Sequence, residues 1–318
     1  MYNLFMASFR TSSLAISEIM LIGLCGFLLA KKGVFKEESI KALSRFLILI
    51  VVPFFIFTKL LKNFNFSIFP NWWLFPLLSL VINLLGFILG FILIKLNKGI
   101  KKPQDFISLV TFQNSGYLVL ALAGALFQGK EFDQILIYIF LFLLGFNLLI
   151  WSFGVWFLVK KDKNHLFEYE LLFSPTVIAI VVALITIYFK LEKFVPSFVF
   201  KPMSAIGDTT IVLAMLVVGA NLGAMKNEGR ILDKKAIFYV CLLKLIIMPL
   251  IALLVVSKLN LSSLLSLFIV MECAVPSATT LSVIAHGYEK DTHSIDQGIF
   301  WTHLASIITL PIFLAFTL

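Results

Sequence analysis

Ten long apolar runs, separated by short polar segments, fill the chain from end to end. Most are of the order of 20 residues, the length that crosses the roughly 30 Å hydrocarbon core of a bilayer as a helix. They predict spans at 13–30, 39–61, 71–94, 108–128, 132–159, 175–189, 202–224, 234–257, 261–285 and 294–317. The sixth is short, at about 15 residues, which still crosses a thinned core. Trp72 and Trp73 at the head of the third span read as interfacial anchors. The pattern predicts an all-α membrane protein with ten transmembrane helices.

Two of the runs carry polar residues at their centres. Span four holds Gln113, Asn114, Ser115 and Gly116 in a row. Span nine holds Pro276, Ser277, Thr279 and Thr280, with Glu272 one turn earlier. A helix facing lipid gains nothing from such clusters, because unsatisfied polar groups in hydrocarbon are costly. Paired interruptions in corresponding halves of a chain point to the midplane site of a secondary transporter. Ten spans divide into five and five, residues 1–160 and 174–318, with a short cytoplasmic connector at 161–173. Five spans per half make the second half enter the membrane from the opposite side, so two inverted five-helix repeats are expected, with the fourth span of each broken.

The chain has 318 residues, 60% hydrophobic and 14% charged, where a soluble domain carries about 25% charged residues. Its net charge of +9 raises nucleic acid as a partner, but the distribution points to lipid. Counted over loops and the turns beside them, Lys and Arg divide 17 to 8 in favour of the loops after spans one, three, five, seven and nine. By the positive-inside rule those loops face the cytoplasm and both termini lie outside. The expected partners are therefore the bilayer and a transported solute, with no nucleic acid. Cys25, Cys241 and Cys273 lie inside apolar runs and read as packing residues. No metal-ligand spacing, Gly-rich phosphate loop or Ser-His-Asp order stands out, so neither an enzyme nor a cofactor is expected.

Within span four, Gly116 and Asn114 loosen the helix, while Gln113, Asn114 and Ser115 supply donors and acceptors. Unwinding there turns freed N–H groups and a half-helix N-terminus toward an anion. The structural alternative is an interhelical hydrogen bond that only holds the bundle together. Pro276 removes one donor and leaves a carbonyl open to a ligand, ion or water. Glu272 is an ionisable group deep in a span, a functional candidate by default. It can carry a proton, bind a cation or pair with Lys244 of span eight; a purely structural ion pair is the alternative. Asp208, in the opening turns of span seven, and His303, in span ten, are further coupling candidates, each with a plain structural reading as well. Pro53 predicts a kink in span two, beside the site or simply for packing.

These residues carry a resemblance. FQNSGYLVLAL at 112–122 resembles the F-x-N-T-G-F-x-G-x-P-L segment of the auxin efflux carrier family. AVPSATTLSVIAHGY at 274–288 is similar to its P-P-A-A-N-A-x-x-L-A-x-x-Y-G segment, and IGDTTIVLAMLVVGANL at 206–222 to its L-G-D-A-A-I-P-L-x-L-x-x-x-G-A-x-L pattern. Ser306 and the Thr309, Leu310, Pro311 ending resemble its last span, and Pro53 fits its second. The resemblance covers essentially the whole chain. It implies a secondary carrier of two inverted repeats in which broken helices four and nine cross near the midplane. It also implies a bacterial inner or plasma membrane location and a homodimer. Related plant carriers export the indole carboxylate auxin, bacterial relatives include proposed malonate carriers, and the broader superfamily takes in sodium-coupled bile-acid carriers. Asn114 and Gly116 match the motif of span four, and Pro276 one of the paired residues of span nine. The family's second proline is Ser277 here, its following Asn is Thr279 or Thr280, and the proline expected near Ala121 is absent.

The expected function is secondary transport of a small organic anion, a mono- or dicarboxylate, by alternating access, one half rocking against the other. Gln113, Asn114, Ser115, Gly116, Pro276, Ser277, Thr279 and Thr280 would bind it. Glu272, Asp208, Lys244 or His303 would couple movement to H+ or Na+. The alternatives are a sodium-coupled symporter of larger amphipathic anions and a non-transporting membrane receptor.

Overall fold

A computed structural model describes residues 2–159, 173–225 and 233–318. The connector expected at 161–173 lies outside the described residues except for its last position. Among the described residues the chain is all-helical. Twelve helices follow in order: α1 (Tyr2–Lys31), α2 (Glu37–Asn63), α3 (Leu74–Leu96), α4 (Pro103–Thr111), α5 (Tyr117–Leu126), α6 (Gly129–Val159), α7 (Pro175–Tyr188), α8 (Ser197–Ala224), α9 (Lys234–Val256), α10 (Ser263–Ala274), α11 (Thr280–Gly287) and α12 (His293–Ala315). Seven of them (α1, α2, α3, α6, α8, α9 and α12) are long and apolar enough to cross a membrane. The runs expected as spans four and nine each fold as two half-helices, α4 with α5 and α10 with α11. The run expected as span six is the 14-residue α7.

Helix α6 forms the centre. Ile135 through Leu143 are buried without a break, as expected of a helix that is apolar all round and enclosed by others. The outward faces of α1, α3 and α12 instead expose Leu14, Leu21, Leu84, Ile88, Ile307 and Ile308. In a membrane protein such a surface meets lipid rather than water.

Helix α1 packs along α8, and α2 packs along α7; α3 lies against α6, and α9 against α12. The α1–α8 contact brings backbone onto backbone. A Cβ at Gly219 would collide with the Gly23 carbonyl, and one at Gly223 would lie 2.6 Å from the Phe27 carbonyl oxygen. Small residues that let helices close to this distance are the usual basis of helix association in lipid.

Two prolines come with widened turns. Helix α2 has a π-helical turn at Leu47–Val51, ending two positions before Pro53, and α9 has one at Leu243–Ile247, ending two positions before Pro249. Proline lacks the N–H for the normal helical bond and its ring presses on the preceding turn. An i→i+5 turn absorbs both defects without ending the helix. Helix α8 starts earlier than expected. Pro196, extended at φ −66° and ψ 139°, caps it, and Pro202 lies inside it. A proline that opens a helix and one a turn further in look alike in sequence. Asp208 is therefore near the middle of α8, at a turn between Gly207 and Thr210, and not in its opening turns.

Replacing Gly219 by Val forces α1 and α8 apart. The expected loss is about 1–3 kcal/mol or more, read as a lower melting temperature of the detergent-purified protein, with Gly219→Ala intermediate.

Candidate functional site

The site begins with two helices that stop at the same place. Helix α4 ends at Thr111 and α10 at Ala274, and each resumes after five intervening residues as α5 or α11. The extended segments between them cross as a two-stranded antiparallel contact centred on Gln113 and Ser277. Asn114 N–H donates to the Pro276 carbonyl at 2.8 Å, and Ala278 N–H donates to the Phe112 carbonyl at 3.0 Å. Pro276 lacks an N–H, so its helix breaks, and its carbonyl then receives Asn114. Gly116 caps α5 at φ −87°, a backbone any residue adopts. A Cβ there would meet only Leu143, at 4.0 Å, so this glycine leaves open space beside the crossing and relieves no strain.

Side chains from the second half of the chain supply what the broken helix α4 lacks. The last carbonyls of a helix have no intrahelical partner. For α4, Ser277 Oγ donates to the Leu109 carbonyl at 2.7 Å, and Lys244 Nζ donates to the carbonyls of Val110 at 3.1 Å and Thr111 at 3.5 Å. Lys244 Nζ also donates to Gln113 Oε1 at 3.3 Å. Ser277 N–H is received by Thr302 Oγ1 at 3.3 Å. His303 Nδ1 lies 2.9 Å from the Ile299 carbonyl, which can only accept, so Nδ1 carries a proton. In the neutral ring Nε2 then accepts from Asn114 Nδ2 at 3.2 Å.

Gln113, Asn114, Ser115, Ser277, Thr279, Lys244, Glu272 and His303 are all buried around this crossing, with Pro276 between them and Thr280 half-buried at the start of α11. Both carboxylate oxygens of Glu272 lack a hydrogen-bond partner among the described residues, as do Gln113 Nε2, Ser115 Oγ and Thr111 Oγ1. Glu272 faces Ser115 and Gln113, with Lys244 in electrostatic reach. It makes no ion pair with Lys244 within 4 Å; Lys244 is spent on the oxygens of the crossing. Asp208 is elsewhere: half-exposed, paired with Lys59 of α2 at 2.9 Å and bonded by Ser204. Pro53 lies on α2, where Gly207 of α8 packs against the Phe55 backbone.

Sequence reasoning missed Thr302 and the Asp105–Lys290 pair. Thr302 stands next to His303, and a polar pair in an apolar run was the signal available. Asp105, 3% exposed, bonds Lys290 Nζ at 2.6 Å, and that ammonium also donates to the Leu158 carbonyl. This ties α4, α6 and the α11–α12 loop together. On the same face Lys102 reaches Asp291 at 2.6 Å and holds its carboxyl below the usual carboxylate range, helped by His293 N–H. A cavity of about 250 Å³ opens there between α4, α9 and α12, with the buried residues Leu109, Val240 and Gly298 in its lining.

Ser277→Ala leaves the Leu109 carbonyl buried and unpaired, which costs about 1–3 kcal/mol. A thermal melt of the purified variant should shift down accordingly; an unchanged melting temperature would show that this carbonyl has another partner.

The sequence model of the membrane transport protein family matches residues 11–170 and 164–314. An uncharacterized transporter of Methanocaldococcus jannaschii is 24% identical over 303 residues, covering 92% of this chain and 95% of the relative. One of Methanothermobacter thermautotrophicus is 22% identical over 309 residues, covering 96% and 98%. An uncharacterized transporter of Schizosaccharomyces pombe is 30% identical over 110 residues, 34% of this chain and 24% of the relative. The chain, a multi-pass integral membrane protein with two broken helices joined at its centre, belongs to the membrane transport protein (auxin efflux carrier) family and is a transporter, not an enzyme.

Proposed function

We propose that the protein is a secondary carrier of a small organic anion, a mono- or dicarboxylate, which binds at the crossing of the broken helices. The observation that carries this reading is the buried crossing itself, where the N-termini of α5 and α11 meet polar side chains from both halves. Half-helix N-termini carry partial positive charge and free N–H groups, which suit an anion. The Asn114 amide has two hydrogens; His303 takes one, and the other can meet a carboxylate. Ser115, Thr279 and Thr280 add hydroxyls around it, and Gly116 leaves room.

Counting α4–α5 and α10–α11 as one span each gives ten spans, five per half. The packing supports two inverted repeats. Helices α1 and α7 open the two halves, and α2 and α8 follow them. The α1–α8 and α7–α2 contacts are then one contact made twice. The surface groups agree with the sides assigned from charge. Lys102–Asp291 and Lys101–Asp233 join the loops after spans three, seven and nine on one face. Phe66 and Tyr188 meet at 6.0 Å between the loops after spans two and six on the other. The first face is read as cytoplasmic, with both termini outside. Because the halves are bonded through the crossing, alternating access moves the layer of α1, α2, α7 and α8 against the remaining helices, rather than one half against the other.

Asn114→Ala should abolish saturable carboxylate transport in proteoliposomes while leaving insertion and folding intact. Binding should weaken about 10- to 100-fold, the equivalent of a hydrogen bond to a charged group at about 1.5–3 kcal/mol. Transport unchanged in this variant would sink the assignment.

A further inference from the structure

The most buried cation among the described residues is not explained by holding an anion. Lys244 is fully buried, on the π-helical turn of α9. Its ammonium addresses three oxygens from one short segment, the carbonyls of Val110 and Thr111 and the side-chain oxygen of Gln113, at 3.1, 3.5 and 3.3 Å. These oxygens end the half-helix α4, whose macrodipole places partial negative charge there. Close by, Glu272 is fully buried with both carboxylate oxygens unpartnered, and Ser115 Oγ and Thr111 Oγ1 are unpartnered too. Carbonyl, amide, hydroxyl and carboxylate oxygens gathered at the C-terminal end of a broken helix form the donor set that holds a small monovalent cation in carriers of this architecture. Here the positive charge arrives on a side chain.

We infer that the Lys244 ammonium is a tethered cation, standing at the end of α4 where a free sodium ion would otherwise bind between that half-helix and Glu272. The protein therefore holds its crossing assembled without sodium. Removing the ammonium exposes an oxygen-lined site that a free sodium ion can fill. The cavity between α4, α9 and α12 offers a route, since its lining residue Val240 lies one turn before Lys244 on α9 and its lining residue Leu109 lies two residues before the end of α4. The consequence for transport, coupling that does not use sodium, rests on the carrier reading above. The site itself does not, and its test reads stability alone.

The experiment is a thermal melt of the purified full chain in sodium chloride and in choline chloride at equal ionic strength. Four proteins are compared: wild type, Lys244→Ala, Lys244→Ser and Lys244→Met. Wild type should melt at the same temperature in both salts. Lys244→Ala and Lys244→Ser should fall by at least about 5 °C in choline, on the scale of losing a buried charge contact, and regain most of that loss in sodium by mass action. Lys244→Met fills the space without charge, so it should fall and show no sodium rescue. Sodium stabilising the wild type, Lys244→Ala melting like wild type in choline, or sodium rescuing Lys244→Met as fully as Lys244→Ala would each overturn the proposal. So would failure of both small variants to fold or to recover in either salt, because a free cation then does not replace the ammonium. Loss of transport in Asn114→Ala bears on the anion site and leaves these outcomes unaffected.

Discussion

A helix that stops inside a hydrocarbon layer uncovers carbonyls that water cannot reach, and each has to find a partner within the protein. The end of α4 is where this constraint acts most strongly. Its carbonyls are met by Ser277, by Lys244 and, through Phe112, by the backbone of Ala278, all from the second half of the chain. The first half cannot complete its own broken helix. The two halves are therefore obliged to fold together, and the place where they join is also the place where polar chemistry can exist inside the membrane.

The remaining architecture follows from holding that junction dry and in register. Helix α6 runs through the centre with a continuous buried apolar face. Phe112 at the break is fully buried, and a Cβ at Gly154, on the π-helical turn of α6, would lie 2.9 Å from its ring. Ion pairs gather at the loop-side ends of the half-helices, where Lys290 with Asp105 and Lys102 with Asp291 fix α4 to the segment between α11 and α12. The α1–α8 and α2–α7 pairs flank this junction, and α1 also packs on α5 and α12, where Ser12 Oγ donates to the Pro311 carbonyl. The α1–α8 pair is held by backbone contact at glycines, where Gly219 meets the Gly23 carbonyl.

The crossing contains opposite electrostatic ends at close quarters. The N-termini of α5 and α11 favour an anion, and the C-terminus of α4 favours a cation. Asn114 bonds His303 just before α5, and Lys244 caps the end of α4 near Glu272. One interrupted pair of helices thus supplies both signs of charge with few formal charges buried.

Much of this was legible in the residues. Runs of apolar residues longer than a bilayer is thick can fold only as membrane helices, so the all-helical class and most span positions followed from hydrophobic length. The two breaks followed from Pro276 and the Gln113–Gly116 cluster, because neither fits a helix facing lipid. Family membership was readable from the order of motifs around Asn114, Asp208 and Pro276. Which partner each polar group takes depends on crossing angle and register between segments far apart in sequence, so only the tertiary structure decided it. Lys244 looked like a partner for Glu272 and instead caps α4; Asp208 looked like an N-terminal charge and sits at mid-helix against Lys59; Thr302 gave no signal beyond its neighbour. Hydrophobic burial is set by composition along the chain, whereas hydrogen-bond satisfaction is set by where helices meet.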